Sequence, residues 1–432
     1  MQKKIVALAL AGLSTAAFAQ IAPQNDAGPT SVTIYGVADV SVQGVHASGG
    51  TNQADNGSAN GGKARLESNS SVLGFKGVES LGNGNSVIFQ AETTVNLTGA
   101  NNGTANSDRS GVTQANVNGR TTTDGQLFGQ IRDSGVGFAS KYGTVIGGYW
   151  STPYRQTVSS LDVMPGAAGD GRIDNIFGRI AYGGAVSSSL TSYARATAVA
   201  YALPTLYGIN GSIAYTGNGA NNLTDNNTAG FNEALSLNLG WTGYGFNLQG
   251  AFQQNKLQFQ NQTAADATKY VAAVLPSSPG NLTNYVIGGA YTGVPGLKVS
   301  ALYGRNTLGI NQINGGTAAS TTGAAKLSSN SVFLGTSYRF GNNEPRISWQ
   351  LTSNSNGATA GTATDTFTQN GGKQWALGWG YYLSKRTQVY GLYTQINQNA
   401  NANYSFANAP VSGTNLAGVR QQTYGAGLRT NF

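Results

Sequence analysis

Along most of this chain, apolar and polar residues alternate one by one. In "SVTIYGVADVSVQG", Val32, Ile34, Gly36, Ala38, Val40 and Val42 fall on one side, and Thr33, Tyr35, Val37, Asp39, Ser41 and Gln43 on the other. "SVIFQAETTVNL" sets Val87, Phe89, Ala91 and Val95 against Gln90, Glu92, Thr94 and Asn96. Leu235, Leu237, Leu239 and Trp241 are divided in the same way from Ser236 and Asn238, and Ile347, Trp349 and Leu351 from Arg346, Ser348, Gln350 and Thr352. "KQWALGWGYYL" and the last ten residues, "TYGAGLRTNF", follow suit. Successive side chains of a strand point to opposite faces, so a period of two predicts β-strands with one apolar and one polar face.

Such strands suit either a soluble sandwich or a membrane barrel. Three features favour the barrel. Aromatic residues stand near the ends of the apolar faces, as interfacial girdles require. The polar faces carry Gln, Glu, Arg and Asn, which prefer water to a packed core. The connections alternate between terse turns ("SLGNGN", "SKYG", "TGYG", "LSKR") and long polar stretches such as His46–Leu66, Thr98–Gln126 and Leu257–Leu282. Short turns on one side and long loops on the other are the layout of an outer-membrane barrel. A sheet spans lipid only if it closes, because each backbone polar group needs a partner within the protein. Closure pairs the last strand with the first, so the segment ending at Phe432 is read as the sealing strand.

One segment breaks the alternation. From Tyr149 to Arg195 the sequence mixes Arg155, Asp162, Asp170, Arg172, Asp174 and Arg179 with Ile, Phe, Met and Val. It is too apolar for a linker and is read as a loop folded into the lumen.

The first 19 residues have Lys3 and Lys4, an apolar run from Ile5 to Leu13 and the small-residue site Ala17-Phe18-Ala19. This is the pattern of a secretory signal peptide cut after Ala19, with an apolar run too short to span a bilayer as a helix. Residues 20–30 then form a short extension and residues 31–432 the barrel. There is no cysteine among the 432 residues, so no disulfide holds the exported chain together. Charged residues make up only 10%. The formal charge of +8 falls to +6 without Lys3 and Lys4, too sparse a basic excess for nucleic-acid binding. With His46 as the single histidine, acid–base chemistry through histidine and metal clusters are poorly supported, and no cofactor is implied. The pair Asp170 and Asp174 is compatible with glycosidase chemistry, but such pairs arise readily in polar loops.

Five pieces in order, "SVTIYGVADV", "LGFKGVESLGNGNSVIFQAE", "LFGQIRDSGVGFASKYGTV", "ALPTLYGINGSIAY" and the terminal "YGAGLRTNF", resemble the Gram-negative general porins, in particular the betaproteobacterial type. The resemblance implies an all-β transmembrane antiparallel barrel of about 16 strands. It also implies a homotrimer in the outer membrane and a third loop folded inward at residues 149–195. Its partners would be lipid, lipopolysaccharide and the barrel-assembly machinery, the last reading Phe432 as part of its signal. The implied function is passive diffusion of ions and small hydrophilic solutes. Porins of this kind carry basic residues on the wall opposite acidic groups on the third loop. Arg132 and Arg195 match wall positions, Arg172 rivals Arg195, and Lys76 and Arg155 add positive charge. Asp162, Asp170 and Asp174 are the loop acids, and Asp39 lines the lumen from the first strand. Val72 stands where a wall arginine is expected, which implies only a weak anion preference.

The residues also admit plainer readings. Arg132 and Arg195 suit solvated strand ends, and the three aspartates suit ordinary turns at "PG" and "GDG". A surface β-rich adhesin would explain the Gly- and Asn-rich loops, though not the lipid-compatible strand faces. A sugar-specific channel would use Tyr149, Trp150 and Tyr154 as an aromatic slide.

Overall fold

The computed structural model describes residues 30–50, 61–98, 128–164, 169–181, 189–217, 230–258, 280–310, 313–315, 320–322, 325–358, 369–406 and 417–432. The expected signal peptide and nearly all of the short extension lie outside them.

Sixteen antiparallel strands form one closed sheet. Strand β1 is Ser31–Ser48, and β2 runs in two parts, Gly61–Ser68 and Val72–Gly82. β3 is Asn85–Val95, and β4 is again divided, Phe128–Ile131 and Ser134–Ser140. β5 (Gly143–Ser151), β6 (Arg195–Ala202), β7 (Ile209–Thr216) and β8 (Gly230–Gly243) follow. Next come β9 (Phe246–Gln258), β10 (Gly280–Tyr291), β11 (Leu297–Ile310) and β12 (Ala325–Tyr338). β13 (Asn343–Thr352, continued by Asn356–Ala358), β14 (Gly372–Tyr382), β15 (Thr387–Gln398) and β16 (Arg420–Asn431) complete the ring. Each strand pairs with its neighbours in sequence, and β16 pairs with β1 from Val37↔Asn431 to Ser48↔Arg420. The backbones of Gly36 and Phe432 exchange two hydrogen bonds of 3.1 Å at the end of that seam.

The two faces of the wall match the alternation in the sequence. Val32, Ile34, Val42, Leu239, Ile287, Trp349 and Trp379 are exposed on the outside, whereas Asp39, Ser41, Gln43, Asn284, Gln350 and Gln374 are buried on the inside. An apolar surface of this extent facing water would be prohibitive, and facing hydrocarbon it is stabilising. The tight turns are equally legible. Asn83-Gly84 and Tyr244-Gly245 all have positive φ, between 52° and 80°. Two consecutive left-handed residues make a turn whose twist suits a hairpin.

The strands run further than the alternation suggested. His46–Ser48 and the segment from Gly61 to Leu66 were expected in a loop, yet Val40–Ala47 pairs with Gly61–Ser68. β9, β10, β11 and β12 likewise extend into expected loops. Beyond the lipid both faces of a strand meet water, so pairing continues while the apolar–polar contrast fades.

The described residues between β5 and β6, 152–164, 169–181 and 189–194, pass into the lumen. Helix α1, Pro153–Ser160, begins at Thr152, whose hydroxyl accepts from the Arg155 amide at 3.3 Å, with Pro153 opening the first turn. Tyr154, Val158, Leu161, Val163, Met164, Ile173 and Phe177 pack against inward residues of the wall, including Ala251, Val286, Leu302, Phe333, Ala376 and Leu392. Wall glycines admit them. A Cβ on Gly335 would lie 2.7 Å from Val163.

Candidate functional site in the barrel lumen

Inside the barrel, the helix and the described residues after it lie against β8–β16. The Tyr154 amide donates to Ser236 at 3.0 Å, Asn238 to Thr157 at 3.3 Å, and Ser160 to Gln249 at 3.4 Å. Lys298 on β11 donates to the carbonyls of Ser160 and Asp162 at 3.0 and 2.8 Å. A cation at the C-terminal end of a helix meets both its free carbonyls and the negative end of its dipole. Further along, a chain of hydrogen bonds crosses five strands. Asn255 donates to Ser192, Ser192 to Asn284, Asn284 to Asn306 and Asn306 to Ser331. Ser331 contacts Thr352, which donates to the Ile176 carbonyl at 2.8 Å.

All three loop aspartates singled out from the sequence are buried in the seam between loop and wall. Asp162 accepts from the amides of Met164 and Ile173 at 2.8 and 3.0 Å. Asp170 meets Arg65 of β2 at 2.7 Å, and its carbonyl accepts from Gln374. Asp174 takes both forks of Arg172 at 2.9 Å, and its carbonyl accepts from Arg179. Burial pushes the Asp162 and Asp170 carboxyls above the ordinary range, opposed at Asp162 by its two backbone donors and at Asp170 by Arg65. Arg172 also contacts Ser70 at 3.4 Å, and Gln350 donates to its carbonyl.

Of the basic residues singled out from the sequence, Arg132, Arg195, Lys76 and Arg155 gather at β2–β6 and on α1, whereas Arg172 lies with Asp174 in the loop–wall seam. Arg132, in the break of β4, pairs with Glu92 of β3 at 2.7 Å. Tyr35 donates to the other oxygen of Glu92 at 3.0 Å, and Lys76 lies 5.3 Å from the Tyr35 ring centre. Arg195, the first residue of β6, forks onto Asp133 at 3.1 and 3.3 Å. Arg155 stacks on Tyr193 at 4.3 Å. Among the described residues, four cationic side chains thus share this region with two carboxylates, Glu92 and Asp133. Sequence reasoning did not single out either acid. Glu92 was visible only as a polar-face residue, and Asp133 as the neighbour of Arg132.

Asp39 sits elsewhere, at the β1–β16 seam, bonded to Arg429 at 3.2 Å and to the Tyr390 hydroxyl at 2.7 Å. Phe432 lies half exposed at the short-turn end of that seam. Trp150 and Tyr154, considered as part of an aromatic slide, are buried.

Residues 6–401 match the family model for Gram-negative porins. A major outer membrane protein P.IB of Neisseria gonorrhoeae is 25% identical over 402 residues, covering 90% of this chain and 92% of that protein. Among solved structures, an anion-selective porin from Comamonas acidovorans shares the barrel with a TM-score of 0.64 at 20% identity, covering 93% of this chain and all of the other. The trimer form of OmpT from Vibrio cholerae shares it with a TM-score of 0.57 at 12% identity, covering 94% of this chain and all of that one.

Proposed function

The chain belongs to the Gram-negative porin family, and on that basis we propose that it is a weakly anion-preferring diffusion channel, assembled as a homotrimer. That it is an outer-membrane porin, a channel rather than an enzyme by family and fold, follows from the match and the sixteen-stranded barrel. Residues 1–19 act as the export leader, residues 20–30 as a short extension, and Phe432 as part of the signal read by the barrel-assembly machinery. The barrel sits among outer-membrane lipid and lipopolysaccharide. The loop of residues 149–195, strand ends included, narrows the lumen.

One observation carries the anion preference. Among the described residues, Arg132, Arg195, Arg155 and Lys76 gather around two carboxylates, Glu92 and Asp133. Of these cations Arg132 and Lys76 are partly exposed and Arg155 and Arg195 are buried, while Asp162, Asp170 and Asp174 are buried in the loop–wall seam. In a narrow aqueous path with low-dielectric walls, an excess of fixed positive charge raises the local concentration of anions. The Comamonas neighbour is itself described as anion-selective. The preference is weak because Glu92 and Asp133 neutralise part of the cluster and Val72 adds no charge.

The test is the zero-current potential of the purified protein in a planar bilayer under a potassium chloride gradient. The expected sign is that of chloride passing faster than potassium. A cation-selective potential would overturn the assignment of the basic wall. A band that runs as a trimer in unheated SDS and as a monomer after boiling checks the assembly, and a strictly monomeric mass in mild detergent would refute it.

A further inference from the structure

A second basic group lies apart from the Arg132 wall, between the inward loop and the short-turn mouth of the barrel. Lys298, Ser337, Arg346 and Gly378 stand side by side on β11, β12, β13 and β14. This row touches the loop directly, because Lys298 holds the carbonyls of Ser160 and Asp162 and a Cβ on Gly378 would lie 3.3 Å from Met164. One step nearer the short turns are Arg339, Glu344 and Tyr382. Arg339 continues the inward series Phe333, Gly335 and Ser337 and is exposed, with its guanidinium 3.8 Å over the Tyr382 ring. Arg346 donates to Glu344 at 2.7 Å and reaches the Tyr382 hydroxyl at 3.4 Å.

Two features make this more than a structural ion pair. Among the described residues charge is unbalanced, with Lys298, Arg339 and Arg346 facing two carboxylates, Glu344 and the loop's Asp162 beside Lys298. The buried Nε of Arg346 also has no hydrogen-bond partner among the described residues, and neither has the Oε1 of neighbouring Gln388. A buried donor left open is rare in folded proteins and calls for a reason. The Arg339 guanidinium lies 3.8 Å over the Tyr382 ring, which restrains it, and the residue is exposed to the lumen. A guanidinium held in this way presents parallel donors to an oxyanion.

We propose that Arg339 and Arg346, held by Tyr382 and Glu344, form a transit site for small oxyanions on the short-turn side of the inward loop. It acts in series with the arginine wall, and the inference rests on the channel reading above. Anions leaving the narrow part toward the short turns meet this site last, and anions entering from that side meet it first. Occupancy therefore depends on the side from which the anion is presented, which a single central constriction does not require.

The experiment uses the intact protein inserted in one orientation in a planar bilayer carrying chloride current. Inorganic phosphate is added to one side and then to the other. The expected result for the wild type is stronger reduction of current by phosphate from the short-turn side. Arg339→Gln should weaken that reduction about threefold, the effect of one unit charge at ~6 Å in water. Arg132→Ala should shift the zero-current potential yet keep the side dependence. Because Arg339 is exposed, its replacement leaves the barrel able to fold, and heat-modifiable migration verifies this. Equal block from both sides, or an Arg339→Gln channel indistinguishable from wild type, overturns the proposal while leaving the channel intact. A wild-type protein without conductance would instead remove the channel reading itself.

Discussion

Asp39 on the first strand and Arg429 on the last face each other in register across the closing seam, 3.2 Å apart and both buried. Tyr390 and Asn69 complete the shell around the carboxylate. Removing one member of a buried pair leaves an uncompensated charge, at a cost of about 3–5 kcal/mol, whereas removing both is far milder. We therefore expect Asp39→Ala or Arg429→Ala alone to lower sharply the temperature at which the folded band is lost on gels. The double change Asp39→Asn with Arg429→Gln should recover much of that loss. Single variants as heat-resistant as the wild type would show that the pair does not hold the seam.

The terminal aromatic offers a second test. Deleting Phe432 removes two backbone bonds to Gly36 and the ring that covers it. The expected outcome is normal export with much less folded protein in the outer membrane, measured by fractionation. Gly36→Val should mimic this partly, since any Cβ there lies 2.4 Å from the Phe432 ring and 2.6 Å from the Val72 carbonyl. Overpacking of this kind costs about 1–3 kcal/mol.

Selectivity should respond to the wall and not to the buried loop acids. Arg132→Ala is expected to lower the chloride-to-potassium permeability ratio about threefold, as loss of one charge beside an aqueous path implies. Asp162→Asn should leave the ratio unchanged, because that carboxyl is enclosed among the amides of Met164 and Ile173. A large effect of Asp162→Asn would mean that the carboxylate faces the path of the ions.

The same aspartate fixes the sign of a pH effect. Burial raises the Asp162 carboxyl above its value in the unfolded chain. The folded form then holds the proton more tightly, so its contribution to stability is greatest at low pH and falls as pH rises through the window between the two values. Asp162→Asn should abolish that part of the pH dependence of thermal unfolding. An unchanged slope would place the titration in another group.

Lys298 is expected to matter for steadiness of the current. It supplies a cation at the end of α1, with two carbonyls on one ammonium. Lys298→Ala should cost the loop anchor about 1.5–3 kcal/mol, the worth of charged hydrogen bonds, and raise open-channel noise. Noise equal to the wild type would show that the apolar contacts of Val163 and Met164 suffice.

The wall was legible in the sequence because it is one strand thick. Each residue of β1 has only two environments available, so Val32 and Ile34 could be separated from Asp39 and Ser41 by parity alone. The ion pairs between distant segments were not legible, because nothing local records them. Arg132 finds Glu92 40 positions away, and Arg65 finds Asp170 at 105. The burial of Asp162, Asp170 and Asp174 also depends on how the inward loop lies against β11–β16, and Gly335 and Gly378 announce their clearance only once Val163 and Met164 are seen beside them.

Closure carries a consequence for how the protein is made. The partner of Asp39 lies 390 residues downstream, so the sheet cannot finish until translation has supplied nearly the whole chain. Contacts this distant in sequence make folding slow, and each unpaired strand meanwhile offers an edge to other molecules. A ribosome that stalls within the last strands yields a product with two open edges and no means of sealing them. Tolerance of such products would be poor, and proteolysis should remove them well before it touches the finished ring.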